Sequence, residues 1–227
     1  MNRSHVLQDL AQRITRIKLT HPTRVAIDGV DAVGKTTLAG ELAPIIEAAG
    51  RKVIRASIDG FHNPKRVRYR RGANSPEGYY RDSFSYKMLF AVLLAPLGPA
   101  GSRRYRNAIF DYRTDCEIEQ EPSLAEENAV LLFDGVFLHR PVVRRLFDYT
   151  VFVDARFEVT LARAIQRAGS LPGTSGELLI SYEQRYIPGQ KLYLTECLPK
   201  EQADAVFDNT DTSNPSLSYR ERSDCML

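Results

Sequence analysis

Residues 25–39, VAIDGVDAVGKTTLA, decide the fold. An apolar run typical of a buried strand ends at Gly29, and an alanine- and leucine-rich pattern typical of a helix begins at Lys35. Between them, residues 29–36 (GVDAVGKT) match every fixed position of G-x-x-x-x-G-K-[ST]. By average composition, a chance match in a chain of this length has a probability on the order of one in a hundred. The stretch therefore predicts a phosphate-binding loop (P-loop) for a nucleoside triphosphate; the alternative is a glycine turn with a surface lysine.

The parts of this loop have separate chemical tasks. Glycines allow backbone N–H groups to surround a phosphate, and the N-terminus of the following helix adds partial positive charge. Lys35 is predicted to contact the β- and γ-phosphates and so to act in catalysis, and the Thr36 hydroxyl is predicted to bind Mg²⁺. The predicted nucleotide-binding residues are consecutive: Gly29, Val30, Asp31, Ala32, Val33, Gly34, Lys35, Thr36 and Thr37.

Strand-like and helix-like patterns alternate along the chain. The strand-like runs lie at 24–28, 52–58, 129–133, 149–153 and 205–207, and helical patterns lie at 35–49, 81–94, 141–146, 158–168 and 176–186. This alternation predicts an α/β fold with a parallel sheet covered by helices on both faces. Residues 1–20 are predicted to form an amphipathic helix, and residues from about 95 to 128 a hairpin excursion at the sheet's edge. No repeat or long linker interrupts residues 1–227, which are predicted to form a single domain.

Composition narrows the class of protein. The hydrophobic content of 43% and charged content of 26% are ordinary for a globular protein, and no apolar run approaches the ~20 residues that span a bilayer. A net charge of +3 is too small to argue for nucleic acid, and three scattered cysteines favour neither a disulfide framework nor a zinc site. A cytoplasmic protein with neither a membrane nor a nucleic acid as partner is expected. One basic run, residues 65–71 (KRVRYRR), is either a solvated loop or a site for an anion.

Two aspartates end strand-like runs. Asp134 ends an apolar run in AVLLFDGVF and is predicted to bind Mg²⁺ together with Thr36; the alternative is a turn residue. Asp59 follows the second strand-like run, at the end of a parallel strand where such sheets bind ligands. A carboxylate there is predicted to accept a proton from an acceptor hydroxyl, although an ordinary Asp-Gly turn gives the same pattern.

Arg163 and Arg167 are four residues apart and share one face of a predicted helix. They are predicted to act in catalysis by neutralising a transferring phosphoryl group, or else they are solvated helix residues. The following AGSLPGTSG, residues 168–176, is typical of a hinge, so a lid is predicted at about 163–200. The guanine-binding Asn-Lys-x-Asp of GTPase switches does not occur in the chain.

Together with the P-loop, several motifs in order resemble the uridine kinase family, whose relatives include phosphoribulokinase, pantothenate kinase and nicotinamide riboside kinase. The motifs are DGFH at 59–62, IFDYRTD at 109–115, LLFDGVF at 131–137, LFDYTVFVD at 146–154 and LARAIQR at 161–167. The resemblance covers residues 24–211. It implies a P-loop NTPase three-layer sandwich whose five parallel strands run in the order 2-3-1-4-5, an arginine-bearing lid, and ATP with Mg²⁺ as phosphoryl donor.

The resemblance also assigns acceptor residues. Asp59 corresponds to the family's general base, Phe110 and Asp111 to an aromatic-acid pair beside the nucleoside base, and Glu77 to a carboxylate that holds the ribose hydroxyls. His62, next to the proposed base, is predicted to touch the acceptor. The chain departs from the family where DGFH replaces D-S-F-Y and where Asp115 stands near the position of a pyrimidine-reading histidine.

The sequence therefore predicts an ATP- and Mg²⁺-dependent kinase for a small-molecule hydroxyl, with the 5′-hydroxyl of uridine or cytidine as the first choice. Pantothenate, nicotinamide riboside, a sugar or a sugar phosphate are alternative acceptors. An alternative of another class is a non-catalytic nucleotide-binding regulator. The sequence leaves open whether the chain forms a homo-oligomer.

Overall fold

The computed structural model describes residues 2–168 and 179–220. Its centre is a six-stranded sheet with β1 Thr23–Gly29, β2 Val53–Ser57, β3 Val130–Gly135, β4 Tyr149–Asp154, β5 Ala205–Asp208 and β6 Ser216–Tyr219. The strands lie in the order β2-β3-β1-β4-β5-β6, in which the first five are parallel and β6 is antiparallel to β5. The α/β class and the parallel order 2-3-1-4-5 are thus confirmed.

The sheet has one strand more than the predicted five. Residues of β6 alternate between exposed and half-buried, and its sequence, SLSY, contains a single aliphatic residue. An edge strand of this kind carries no continuous apolar run, whereas the seven residues of β1 and the six of β3 are all buried. β1 and β3 were predictable because central parallel strands are covered on both faces.

Helices cover both faces of this sheet. They are α1 Arg3–Arg16, α2 Lys35–Ala48, α3 Lys65–Arg68, α4 Pro76–Asp82, α5 Tyr86–Leu89, α6 Pro141–Arg144, α7 Phe157–Ala168, α8 Ile187–Cys197 and α9 Pro199–Gln202, with a 3₁₀ turn at Ile58–Phe61 and π-helical turns at Phe90–Leu94 and Tyr182–Tyr186. Val25 and Ile27 of β1 join a core with α1 and α2, whereas Ala26 joins a second core on the other face. None of the helices in the described ranges is both long and apolar enough to cross a membrane.

The helix predicted at 81–94 is divided in the structure. α4 ends at Asp82, and the Ser85 side chain accepts a hydrogen bond from the Met88 backbone N–H at the start of α5. Between the two helices, Phe84 pairs with His62 in an isolated β-bridge. The break follows from serine's preference for helix N-caps, and it brings this segment against the turn that follows β2.

The excursion after α5 contains two short antiparallel ladders. Arg104–Tyr105 pairs with Ser123–Leu124, and Phe110–Asp111 pairs with Cys116–Glu117. The Ile109 backbone N–H donates to the Gly60 carbonyl at 2.8 Å. The inner ladder is therefore tied to the turn that carries Asp59.

Candidate active site

The P-loop connects β1 to α2 and has the strained backbone that wrapping a phosphate requires. Ala32 and Gly34 have positive φ angles of 57° and 102°. The side-chain amide of Asn209, directly after β5, donates to the Val33 carbonyl at 2.7 Å. Asn209 was not predicted as a site residue, because nothing in its local sequence indicates a contact with a loop 176 positions away.

Gly34→Ala is expected to weaken ATP binding by at least about tenfold, since a Cβ there would be strained and would displace a neighbour. The Cβ atom would lie 2.6 Å from Asn209 Nδ2, the donor to the P-loop. Gly50→Ala is the matched control, because Gly50 also has a positive φ, of 81°, but has nothing within 4 Å of the added Cβ. Calorimetric titration with ATP measures the effect, and equal losses in both variants would contradict it.

The lysine and the two predicted metal ligands lie together. Lys35 Nζ donates to the Val30 carbonyl at 2.7 Å, so the side chain folds back over the loop. Thr36 Oγ1 donates to Asp134 Oδ2 at 2.8 Å. Adjacent ligands of an octahedral Mg²⁺ at about 2.1 Å lie about 3 Å apart, so these two oxygens fit one cation. Arg55 Nη2 lies 3.4 Å from the other oxygen of Asp134.

Asp59 lies in the 3₁₀ turn after β2, where its backbone N–H donates to Ser57 Oγ at 3.4 Å. The residue is exposed, and it lines the cavity. Burial raises the pKa of Asp59, an effect that nearby Lys35 opposes and the negative charge of Asp134 increases. A carboxylate with a raised pKa is a stronger proton acceptor than an ordinary aspartate.

His62 lies beside Asp59 and between two aromatic rings. Its ring centroid is 4.6 Å from that of Phe84 and 4.8 Å from that of Tyr112. Its Nδ1 is 2.9 Å from the Asp59 carbonyl oxygen, which can only accept, so Nδ1 carries the proton and Nε2 is an acceptor. Burial lowers the pKa of His62 to about 4, so the ring is neutral at neutral pH.

A cavity of about 740 Å³ brings most of the predicted site residues together. They are Asp31, Ala32, Gly34, Lys35, Thr36, Thr37, Asp59, His62, Asp134, Arg163 and Arg167. We call one side the nucleotide end, formed by Arg3, Gly34, Glu41, Arg163, Asn209 and Thr212. We call the other the acceptor end, formed by Asp31, Asp59, His62, Tyr79, Phe84, Tyr112, Tyr182 and Tyr186. Lys35 and the Thr36–Asp134 pair also line this cavity.

The two arginines of α7, Arg163 and Arg167, have different surroundings. Arg163 Nη2 donates to the carbonyls of Asn209 and Thr210 at 2.9 and 3.0 Å, and its buried Nη1 has no partner among the described residues. Arg167 is exposed and lines the cavity, and its charge opposes the rise that burial causes in the pKa values of Asp59 and Asp31. The hinge predicted in AGSLPGTSG falls almost wholly on residues 169–178, outside the described ranges.

A model of the Phosphoribulokinase / Uridine kinase family matches residues 25–215. The chain belongs to this family. The match begins in β1 and stops just before β6, so α1 and the edge strand lie outside it.

Relatives in the phosphoribulokinase/uridine kinase family include a pantothenate kinase of Rhodopseudomonas palustris (strain BisA53), 26% identical over 206 residues that cover 85% of this chain. The chain spans 62% of the length of that relative. Uridine-cytidine kinase B of Dictyostelium discoideum is 24% identical, with 82% of this chain and 74% of that protein covered. A solved structure of a possible uridine kinase from Bacillus stearothermophilus has a TM-score of 0.71 at 24% identity, covering 90% of this chain and 98% of that chain. The relatives bear the names of different kinases, so family membership leaves the acceptor open.

Three acceptor residues assigned by resemblance to the uridine kinase family do not line the cavity. Glu77 is on an exposed face of α4, where Arg71 and Arg81 lie 3.7 and 3.2 Å from its carboxylate. Phe110 is buried in the inner ladder, and Asp111 accepts a hydrogen bond from the Arg113 backbone N–H at 2.9 Å. Glu77 and Asp111 have partners within the chain and Phe110 is buried, and their contacts with an acceptor stay predictions.

Aromatic residues other than Phe110 line the cavity. Tyr112, two positions after Phe110, stacks near His62, and Tyr79 lies with Tyr186 at a ring separation of 4.9 Å. The quoted motif IFDYRTD contains Tyr112, so the sequence held a signal for it. No motif includes Tyr186, and its contact with Tyr79 joins residues far apart in sequence.

Three arginines of the basic run at 65–71 form ion pairs with acidic side chains. Arg68 pairs with Asp115 at 3.1 Å, and Arg70 and Arg71 pair with the buried carboxylate of Asp82 at 2.5 and 2.8 Å. The residues that line the described cavity include none from this run. Arg68, Arg70 and Arg71 therefore hold this segment against α4 and the hairpin, and a role of the run in binding an anion stays a prediction.

Proposed function

We propose that this protein transfers the γ-phosphoryl group of ATP, with Mg²⁺, to a hydroxyl of a small molecule, and that the acceptor is a nucleoside such as uridine or cytidine. The single observation that carries the proposal is the Asp59 carboxylate, which lines the same cavity as Lys35 and the Thr36–Asp134 pair. A nucleotide-binding regulator needs a phosphate site but has no use for a carboxylate with a raised pKa beside it.

The chain's own residues fit an in-line transfer. Backbone N–H groups of the P-loop bind the phosphates, Lys35 exchanges the Val30 carbonyl for phosphate oxygens, and Thr36 and Asp134 would hold Mg²⁺. ATP supplies the phosphoryl group, and Mg²⁺ supplies neutralising charge when bound. Asp59 accepts the hydroxyl proton while the acceptor oxygen forms its bond to the γ-phosphorus and the bond from that phosphorus to ADP breaks.

The acceptor end supports a flat, hydrogen-bonding acceptor. His62 and Tyr112 present an aromatic surface, and neutral His62 offers Nε2 as an acceptor atom. A nucleoside base has both a face for stacking and donor groups on its edge. Its ribose would then carry the hydroxyl that reacts with Asp59 as base.

Pantothenate is a second candidate acceptor. The observation in its favour is the set of pantothenate kinases among the relatives, at 26–28% identity. Because the chain spans only 62–66% of the length of most of them, residues that contact their acceptor can lie outside the matched part. The phosphoryl-transfer machinery proposed above is the same for either acceptor.

Release of ADP from ATP·Mg²⁺ in the presence of individual acceptors tests the proposal. We expect uridine or cytidine to raise the rate at least about tenfold above the acceptor-free rate, since positioning a hydroxyl beside Asp59 removes much of the barrier. The panel also includes nicotinamide riboside, pantothenate, fructose and ribulose 5-phosphate. If pantothenate alone stimulates ADP release, pantothenate replaces the nucleoside as the proposed acceptor. If no acceptor stimulates ADP release although ATP binds, the proposed kinase activity is contradicted.

A further inference from the structure

Asp31, inside the P-loop, has a carboxylate directed to the acceptor end of the cavity. Its Oδ2 accepts hydrogen bonds from the Tyr79 hydroxyl at 2.9 Å and from Gln190 Nε2 at 2.7 Å. The Asp31 backbone N–H in turn donates to Gln190 Oε1 at 3.3 Å. Among the described residues none donates a hydrogen bond to the other oxygen, Oδ1, so this atom is available to a ligand in the cavity.

The groups that hold Asp31 are themselves rigidly placed. Tyr79 is on α4 and Gln190 on α8, and their residues are only 7% and 2% exposed. The two helices touch closely, because a Cβ added to Gly189 would lie 2.8 Å from the Pro76 carbonyl oxygen. The orientation of the Asp31 carboxylate is therefore set before any acceptor enters, which favours a role in selection.

Two carboxylates, those of Asp31 and Asp59, line the acceptor end. Burial raises the pKa of Asp31, Lys35 and the Tyr79 hydrogen bond oppose the shift, and the negative charge of Asp59 adds to it. The cations that line the cavity are Arg3, Lys35, Arg163 and Arg167. Arg3 pairs with Glu41 at 2.6 Å, Lys35 serves the phosphates in the proposed mechanism, and Arg163 and Arg167 are predicted to neutralise the transferring phosphoryl group. Among the described residues that line the cavity, no further cation is present to pair with an acceptor that has its own carboxylate or phosphate, and such an acceptor would meet the like charge of Asp31 and Asp59.

We propose that Asp31 selects the acceptor: its Oδ1 accepts a hydrogen bond from a second hydroxyl of a neutral polyol, and its charge excludes carboxylate- and phosphate-bearing compounds. This inference rests on the proposed kinase function, which it narrows to neutral polyhydroxylated acceptors such as nucleosides or free sugars. Pantothenate and sugar phosphates are then poor acceptors. A purely structural Asp31, which only joins the P-loop to α4 and α8, would affect all acceptors equally.

Asp31→Asn tests this, because asparagine keeps an acceptor for Tyr79 but removes the charge. We expect KM for uridine or fructose to rise about 10–100-fold, the range for losing a hydrogen bond to a charged group, and to rise more than KM for ATP. KM for pantothenate or ribulose 5-phosphate should stay constant or fall. Asp9→Asn is the matched control, since Asp9 also accepts a hydrogen bond from a tyrosine, Tyr219, at 2.8 Å but lies on the surface of α1.

A binding measurement separates failure of this inference from failure of the proposed function. Calorimetry with the same four compounds, in the presence of a non-hydrolysable ATP analogue, is run on the wild type and on both variants. If the wild type binds uridine or fructose but releases no ADP, the kinase proposal fails while the binding comparison still tests Asp31. The inference is overturned if Asp31→Asn weakens the binding of neutral and anionic compounds by the same factor. It is also overturned if every neutral compound binds to the variant at least as tightly as to the wild type.

Discussion

Asp59→Asn is expected to bind ATP with nearly wild-type affinity and to lower kcat by about 10²–10⁴-fold, the range for removing a general base. Asparagine has the same shape and can keep the backbone hydrogen bond to Ser57 Oγ, but it cannot accept the proton of the acceptor hydroxyl. Steady-state kinetics and calorimetric titration with ATP give the two quantities. Glu77→Gln is the control, because Glu77 has an exposed carboxylate outside the cavity.

The pH dependence gives this result a second readout. Only the carboxylate form of Asp59 accepts a proton, so kcat/KM falls as the pH falls through its pKa, which burial raises above the ordinary aspartate value. The residual activity of Asp59→Asn should lack this acidic limb. A variant with kcat within a few-fold of wild type, or with an unchanged acidic limb, would show that another group accepts the proton.

The parts of the fold and of the site that are determined by residues adjacent in sequence were predictable. A P-loop between a strand and a helix, and Asp134 at the end of an apolar run, are each contained in fewer than about ten consecutive residues. Parallel strands buried on both faces give long apolar runs, which is why β1 and β3 were found and the half-exposed β6 was not. The parallel strand order then placed Asp59 and Asp134 at one edge, as the resemblance implied.

Features that depend on contacts across the fold were not predictable. Gln190 and Tyr79 contact Asp31 over separations of 159 and 48 positions, and neither carries a local mark of that contact. Glu77 fitted a family motif, but the motif does not include Arg71 and Arg81, whose charges hold it at the surface. A motif match therefore does not show which ion pairs its members form with residues outside the motif.

Contacts across the fold also distinguish Arg163 from Arg167, two arginines of α7 to which the sequence analysis assigns the same role. Arg163 is held by two carbonyls after β5, so Arg163→Ala is expected mainly to raise KM for ATP through loss of order at the nucleotide end. Arg167 lies beside Tyr182 and acts electrostatically on Asp59, so we propose that it is the arginine that contacts the transferring phosphoryl group.

Arg167→Ala is therefore expected to lower kcat by about 10²–10³-fold, as for loss of one preorganised donor to developing charge, with a smaller change in KM for ATP. Arg167→Lys keeps the charge and loses the planar fork, so it should recover part of kcat. Kinetics of the two alanine variants, measured side by side, distinguish the roles. Equal effects of Arg163→Ala and Arg167→Ala on kcat would contradict the division, because two carbonyls occupy Nη2 of Arg163, whereas Arg167 is exposed and lines the cavity beside Tyr182.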